Sequence, residues 1–223
     1  MLQQFFESTF GITLTAVIIL IMLLSGIGYL KSRPENRLSG RKAIMAMAFS
    51  ALAISLGMVL SFITIIKMPQ GGSVTLLSMF AVSLVGYLYG PVQGILSGVA
   101  YGLLQLVIDP YVIHPVQLIL DYPLAFGMLG LSGFFNRKKH GLLIGYLMGV
   151  SGRLACSLIS GIVFFGDYAQ GTGMSPLIYS LIYNGSYLGA EAFITSIIIC
   201  LPPVRNAVLS IKNIAISKSY ASE

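Results

Sequence analysis

Charged side chains are scarce in this sequence: aspartate, glutamate, lysine and arginine make up 9% of its 223 residues. A soluble domain carries roughly 25%. This chain cannot cover itself with polar groups, so lipid must be its main solvent. Tryptophan is absent, and there are two histidines, His114 and His140, and two cysteines, Cys156 and Cys200. Both cysteines fall inside apolar runs at different depths, which argues against a disulfide; two thiols without further ligands make no metal site. No phosphate-binding loop or dinucleotide motif occurs, so no energy-converting machinery and no cofactor is expected. The formal charge of +6 is not a nucleic-acid signal, because the basic residues cluster at the ends of apolar runs.

Hydrophobic residues are what the chain does have: 56% of the total, with a mean hydropathy of +0.88. A helix needs about 20 apolar residues to cross the hydrocarbon. Seven runs qualify, two of them short: 11–30, 42–66, 73–89, 91–108, 116–135, 141–165 and 176–201. None alternates polar and apolar residues as barrel strands do. The expected class is therefore an all-α, multi-pass membrane protein.

Three basic clusters set the orientation: Lys31, Arg33, Arg37, Arg41 and Lys42; Arg137, Lys138 and Lys139; Arg205, Lys212 and Lys218. Seven spans place all three on one side, the cytoplasmic one, with the N-terminus outside and the C-terminus inside. The first run has no basic residue before it, which reads as a retained anchor and not a cleaved signal. A polar linker with Pro34 and Gly40 divides the chain. Residues 1–36 form an additional N-terminal helix and basic linker, and residues 37–223 a six-helix substrate-binding unit.

Three ionisable residues fall within the expected spans: Asp121, Arg153 and Glu191. Such charges are costly and either functional or paired. Arg153 has two candidate partners, Glu191 and Asp121. Asp121 lies near the outer face and is followed by Tyr122, with Tyr111 in the preceding loop. A carboxylate with aromatic walls suits a small organic cation, through charge neutralisation and cation–π attraction. On the last run, "IYSLIYNGSY" puts Tyr179 and Tyr183 on one face, with Asn184 beside them. An amide that donates and accepts suits a heterocycle bearing ring nitrogens and an exocyclic amine; the tyrosines also fit an interfacial belt. Ala43, Ala46, Ser50, Ala53, Gly57 and Ser61 repeat at spacings of 3, 4, 3, 4 and 4, a small-residue face suited to close approach of another helix. That helix belongs either to a partner or to this chain.

Gly149-Val150-Ser151-Gly152 matches the GxSG of intramembrane serine proteases. A nucleophilic serine needs a base within hydrogen-bond reach, and neither histidine is expected within a span. A secondary transporter for an organic cation or pyrimidine vitamin precursor would be favoured by repeated halves and broken midplane helices. Neither is evident in the sequence.

The motifs "MPQGGSVTL", "HPVQLILDYPLAF", "SGIVFFG" and "YSLIYNGSY" occur in order over residues 43–201. Together they resemble the thiamine-specific substrate-binding (S) components of energy-coupling-factor (ECF) transporters, the ThiT type. The resemblance implies a six-helix S-component bundle in a bacterial cell membrane, without catalytic activity, to which the N-terminal helix is an addition. It implies capture of thiamine from outside, a transmembrane coupling subunit and two ABC-type ATPases. The acid–tyrosine pair meeting the thiazolium would be Asp121 and Tyr122, with Tyr111 as a further wall. Tyr179 and Asn184 would meet the pyrimidine, and Phe165 stands where some members have tryptophan. Arg153 is followed by Ser157 where a pocket histidine is expected, and Arg153 itself would pair with Asp121 or meet a ligand phosphate. The docking face for the coupling subunit would comprise Ala43, Ala46, Ser50, Ala53 and Gly57.

Overall fold

A computed structural model describes residues 40–69 and 72–217; the expected N-terminal helix and its linker lie outside the described residues. The apolar runs fold as α1 (Arg41–Ser61), α2 (Ser78–Tyr89), α3 (Pro91–Ile108), α4 (Pro115–Phe135), α5 (Gly141–Phe164) and α6 (Pro176–Cys200). Four of them, and a fifth if α6 is joined to the bent helix after it, are long and apolar enough to cross a membrane. Large apolar side chains point outward, among them Leu52, Val107 and Phe193 at 70%, 77% and 68% exposure. In water such a surface would drive aggregation; in a bilayer it faces the acyl chains.

Three boundaries differ from the sequence reading. The run 42–66 stops being helical at Ser61, and Thr64–Lys67 form strand β1, paired antiparallel with β2, Ser73–Thr75. The β-branched residues Thr64, Ile65 and Ile66 favour a strand. The run 73–89 accordingly begins as strand, and α2 has only 12 residues, about 18 Å at 1.5 Å per residue. It reaches across the bundle only together with the hairpin. The third difference is an additional helix, α7 (Pro202–Ser217), which leaves α6 at 78°. Leu201 precedes Pro202 and is held extended, ψ 130°, which ends α6 there.

The small-residue stripe of α1 is turned inward. Ala46, Ser50 and Ala53 are buried within the chain, Ser50 accepts a hydrogen bond from Gln93 Nε2 at 2.9 Å, and Gly57 meets Tyr101 of α3 and Ser78 of α2. These residues let neighbouring helices of the same chain approach, so four of the five expected docking residues, Ala46, Ser50, Ala53 and Gly57, belong to an internal packing face, while Ala43 is half-exposed. The opposite side leaves Ala48, Ala51 and Ser55 exposed among large apolar residues.

The backbones of α3 and α4 approach closely. Gly94, Gly98 and Gly102 lie four apart on α3, and a Cβ at Gly98 would sit 2.3 Å from the Phe126 carbonyl oxygen. Only hydrogen fits there, and the small-xxx-small spacing is that of packed membrane helices. Gly98→Val is expected to cost about 3 kcal/mol or more through overpacking, read as a lowered Tm of the purified protein. Gly185→Ala, which meets nothing within 4 Å, should leave Tm unchanged; equal Tm values for both variants would contradict this packing.

Candidate functional site

The unusual polar and aromatic residues converge on one cavity of about 420 Å³, open toward the end of the bundle that carries β1 and β2. That volume lies in the range of small-molecule sites. Asp121, Tyr122, Tyr111, Tyr179, Asn184, Phe165, Ser157 and Arg153 all line it.

Local sequence places the acid. His114 is extended and its Nδ1 accepts from Val116 N at 3.1 Å, while Pro115 takes the first helical position. There its missing N–H costs nothing. Pro123 then falls inside the helix, and Leu120–Leu124 opens into a π turn. A proline without an N–H and a widened turn are a common pairing at functional sites. Asp121 and Tyr122 stand in that turn.

Asp121 is half-buried, and its Oδ2 accepts from Gln117 Nε2 at 2.7 Å and from Ser160 Oγ at 2.8 Å. Oδ1 has no hydrogen bond among the described residues. The buried Gln117 also donates to the Tyr111 carbonyl and accepts from Ile113 N, so it ties the outer loop to the acid. The Tyr122 hydroxyl accepts from Tyr111 N at 2.7 Å and donates to the Asp109 carbonyl at 3.0 Å. Its polar end therefore holds the loop, and its ring is what it presents to the cavity.

Rings close the mouth. Phe165 stacks between Tyr111 and Tyr168, with centroids at 5.9 Å and 6.1 Å, and the two tyrosine hydroxyls share a 3.2 Å hydrogen bond. That bond raises the pKa of Tyr111 above its ordinary value. On α6, Tyr179 stacks on Tyr183 at 6.1 Å. The start of α6 repeats the logic of α4: Ser175 Oγ accepts from Ile178 N and Pro176 follows. Asn184 is engaged within the protein, donating to Ser157 O and Ser180 and accepting from the Tyr187 hydroxyl at 3.0 Å.

Arg153 pairs with neither carboxylate. Its guanidinium lies 4.0 Å from the Phe126 ring centroid, and Nε is buried without a hydrogen-bond partner. Among the described residues the ion pair present is Lys67–Asp109, 3.4 Å apart at the exposed mouth, where solvent leaves such pairs little energy. Glu191 is 2% exposed and accepts from Thr75 N at 3.0 Å, Thr75 Oγ1 at 2.8 Å and Met79 N at 3.4 Å, while Ser78 Oγ, 3.3 Å from it, bonds Thr75 Oγ1 at 2.6 Å. Its partner is thus the end of the hairpin and the first turn of α2, whose N–H groups lack intrahelical acceptors. Gly72, at φ +80°, lies against the Tyr187 ring, which a Cβ would meet at 2.8 Å. Glu191 and Tyr187 together fasten the hairpin to α6.

Residue-level reading missed Gln117 and Ser160, the two donors to Asp121. Gln117 precedes Asp121 by one helical turn within the quoted motif, a signal that was available. Ser160 arrives from α5 and opens the quoted motif "SGIVFFG", so it carried the same kind of signal. Among the described residues no group of three or more His, Cys, Asp or Glu side chains is placed to hold a metal ion.

Residues 47–211 match the family described as "Thiamine transporter protein (Thia_YuaJ)". The thiamine transporter ThiT of Bacillus subtilis (strain 168) is 38% identical over 173 residues, which span 71% of this chain and 86% of that protein. The thiamine transporter ThiT of Lacticaseibacillus paracasei is 29% identical over 127 residues, 49% of this chain and 63% of that protein. Among solved structures, ThiT from Listeria monocytogenes has a TM-score of 0.61 at 24% identity, covering 71% of this chain and 93% of that one. At that identity the likeness speaks for the fold.

Proposed function

This chain belongs to the thiamine transporter protein (Thia_YuaJ) family, and we propose on that footing that it captures thiamine from outside the cell as the S-component of an ATP-driven ECF importer. As a family member it is a multi-pass bacterial plasma-membrane transporter and not an enzyme. The observation that carries the ligand assignment is Asp121. It is a half-buried carboxylate with one oxygen held by Gln117 and Ser160, and the other without a hydrogen bond among the described residues. Aromatic rings line the same cavity. A thiazolium cation fits that charge and those ring faces. Tyr179 and Asn184 would meet the aminopyrimidine, with Asn184 exchanging an internal hydrogen bond for one to the ligand.

Calorimetry of the purified protein with thiamine, thiamine monophosphate and the free pyrimidine tests this. Thiamine is expected to bind below micromolar concentration, and no heat at that concentration would overturn the assignment. Arg153 separates the ligands further. A cation near a cationic ligand is repulsive, whereas a phosphate can accept its free N–H groups. Arg153→Met is therefore expected to weaken thiamine monophosphate by about tenfold or more and to leave thiamine unchanged or tighter. Equal losses for both ligands would put Arg153 in a structural role.

The coupling subunit would meet α1 on its outward face, at Ala48, Ala51 and Ser55. Co-purification with the coupling subunit and the two ATPases distinguishes an S-component from an autonomous carrier.

A further inference from the structure

Among the described residues, the most charge-imbalanced region lies at the end opposite the cavity mouth. Arg137, Lys138, Lys139 and Arg205 are exposed there, and Lys212 is half-buried. The acids among the described residues are Asp109 and Asp167 in the outer loops and Asp121 and Glu191 in the cavity. No described acid offsets those cations.

Helix α7 crosses this end. It leaves a membrane span at 78°, so if α6 stands along the bilayer normal, α7 runs nearly in the membrane plane. Its sequence has the matching two faces. Val204, Val208 and Ile211 lie on one side at spacings of 4 and 3, and Asn206, Ser210 and Asn213 on the other at 4 and 3. Val208 is buried against Tyr87 and Leu88 at the end of α2. The Lys212 ammonium sits 4.2 Å from the Tyr87 ring centroid and donates to the Asn136 carbonyl. The helix is thereby pinned next to the 137–139 turn. Ile211, on the Val208 side, and Leu209, nearer the polar side, remain partly exposed.

We propose that α7 is an interfacial helix lying in the headgroup layer of the cytoplasmic leaflet, and that with the 137–139 turn it forms a surface for anionic phospholipids. Three features select that occupant. The helix continues directly from a span, so its depth is that of the membrane–water boundary. Its apolar flanks are too short to span but suited to shallow insertion. Its cations, unopposed by acids among the described residues, match the negative potential of the inner leaflet. This goes beyond thiamine capture and needs only the cytoplasmic orientation of this end.

The absence of tryptophan supplies the test. Full-length Ile211→Trp and Asn206→Trp each carry a single tryptophan, excited selectively over tyrosine in nanodiscs of phosphatidylcholine with phosphatidylglycerol held by a tryptophan-free scaffold protein. The first is expected to emit blue-shifted light and to be quenched by brominated acyl chains, the second by aqueous iodide. Equal quenching of both by iodide would overturn the insertion. Independently, the unsubstituted protein should melt at higher temperature in phosphatidylglycerol discs than in pure phosphatidylcholine discs. Joint replacement of Arg137, Lys138, Lys139 and Arg205 by glutamine should remove that difference while thiamine calorimetry stays unchanged. An equal Tm of the unsubstituted protein in both lipids would overturn the anionic selectivity, whatever the tryptophan variants do.

Discussion

Asp121→Asn is expected to weaken thiamine binding about a hundredfold, with little change in fold. Asparagine keeps the shape, and its amide oxygen can still accept from Gln117 and Ser160 in place of Oδ2. What disappears is the negative charge, and an N–H donor replaces the second carboxylate oxygen. Removing one partner of a desolvated charge pair costs about 2–5 kcal/mol, and 1.4 kcal/mol is tenfold in Kd. Calorimetry with two ligands isolates the charge. Thiamine should lose the affinity, whereas the free aminopyrimidine, lacking the thiazolium, should lose almost none. Small and equal losses for both would remove the argument for a cation at Asp121.

The second large effect is expected at Glu191. Its carboxylate receives two backbone N–H groups and the Thr75 hydroxyl from residues 75–79, far away in sequence and in direct contact in space. Glu191→Ala strands those donors in a buried setting, at about 1–3 kcal/mol for each unsatisfied group. A loss of about 4 kcal/mol of stability is expected in total. Glu191→Gln keeps the volume but points an NH2 at groups that themselves donate, so it should recover only part of the loss. The local consequence is a loosened hairpin. Because β1 and β2 border the cavity, thiamine should dissociate faster from the Gln variant. Trypsin should also cut more readily after Lys67, an exposed residue at the end of β1. If the Gln variant matched the unsubstituted protein in Tm, dissociation rate and cleavage at Lys67, the clamp would have no energetic role.

The helices were legible where their signals are local. Gly90-Pro91, His114-Pro115 and Ser175-Pro176 each mark a helix start through the fixed φ and missing N–H of proline, and α3, α5 and α6 follow within a residue or two of the apolar runs. The hairpin was hidden because Ile65 and Ile66 extend the apolar run of α1, and hydropathy does not distinguish a strand from a helix. Helix α7 was hidden for the opposite reason: Arg205, Asn206, Lys212 and Asn213 dilute its apolar residues below any spanning threshold. The eight candidate binding residues line one cavity, yet several face it differently from the sequence reading. Phe165 is sandwiched between two tyrosines, the Tyr122 hydroxyl holds the outer loop, and the Asn184 amide is bonded within the protein.

By itself the sequence determined the solvent, the helices and the residues worth suspecting. Composition, hydropathy and proline position act locally and add up along the chain. Only the tertiary structure decided what each unusual residue is bonded to. Arg153 stands over Phe126 without a carboxylate, the small face of α1 packs inward, and Glu191 grips a strand 116 residues away. The physical reason is that a buried charge or a small-residue face is indifferent to which partner satisfies it. The choice is made by which helices the packing brings within about 3 Å, the reach of a hydrogen bond.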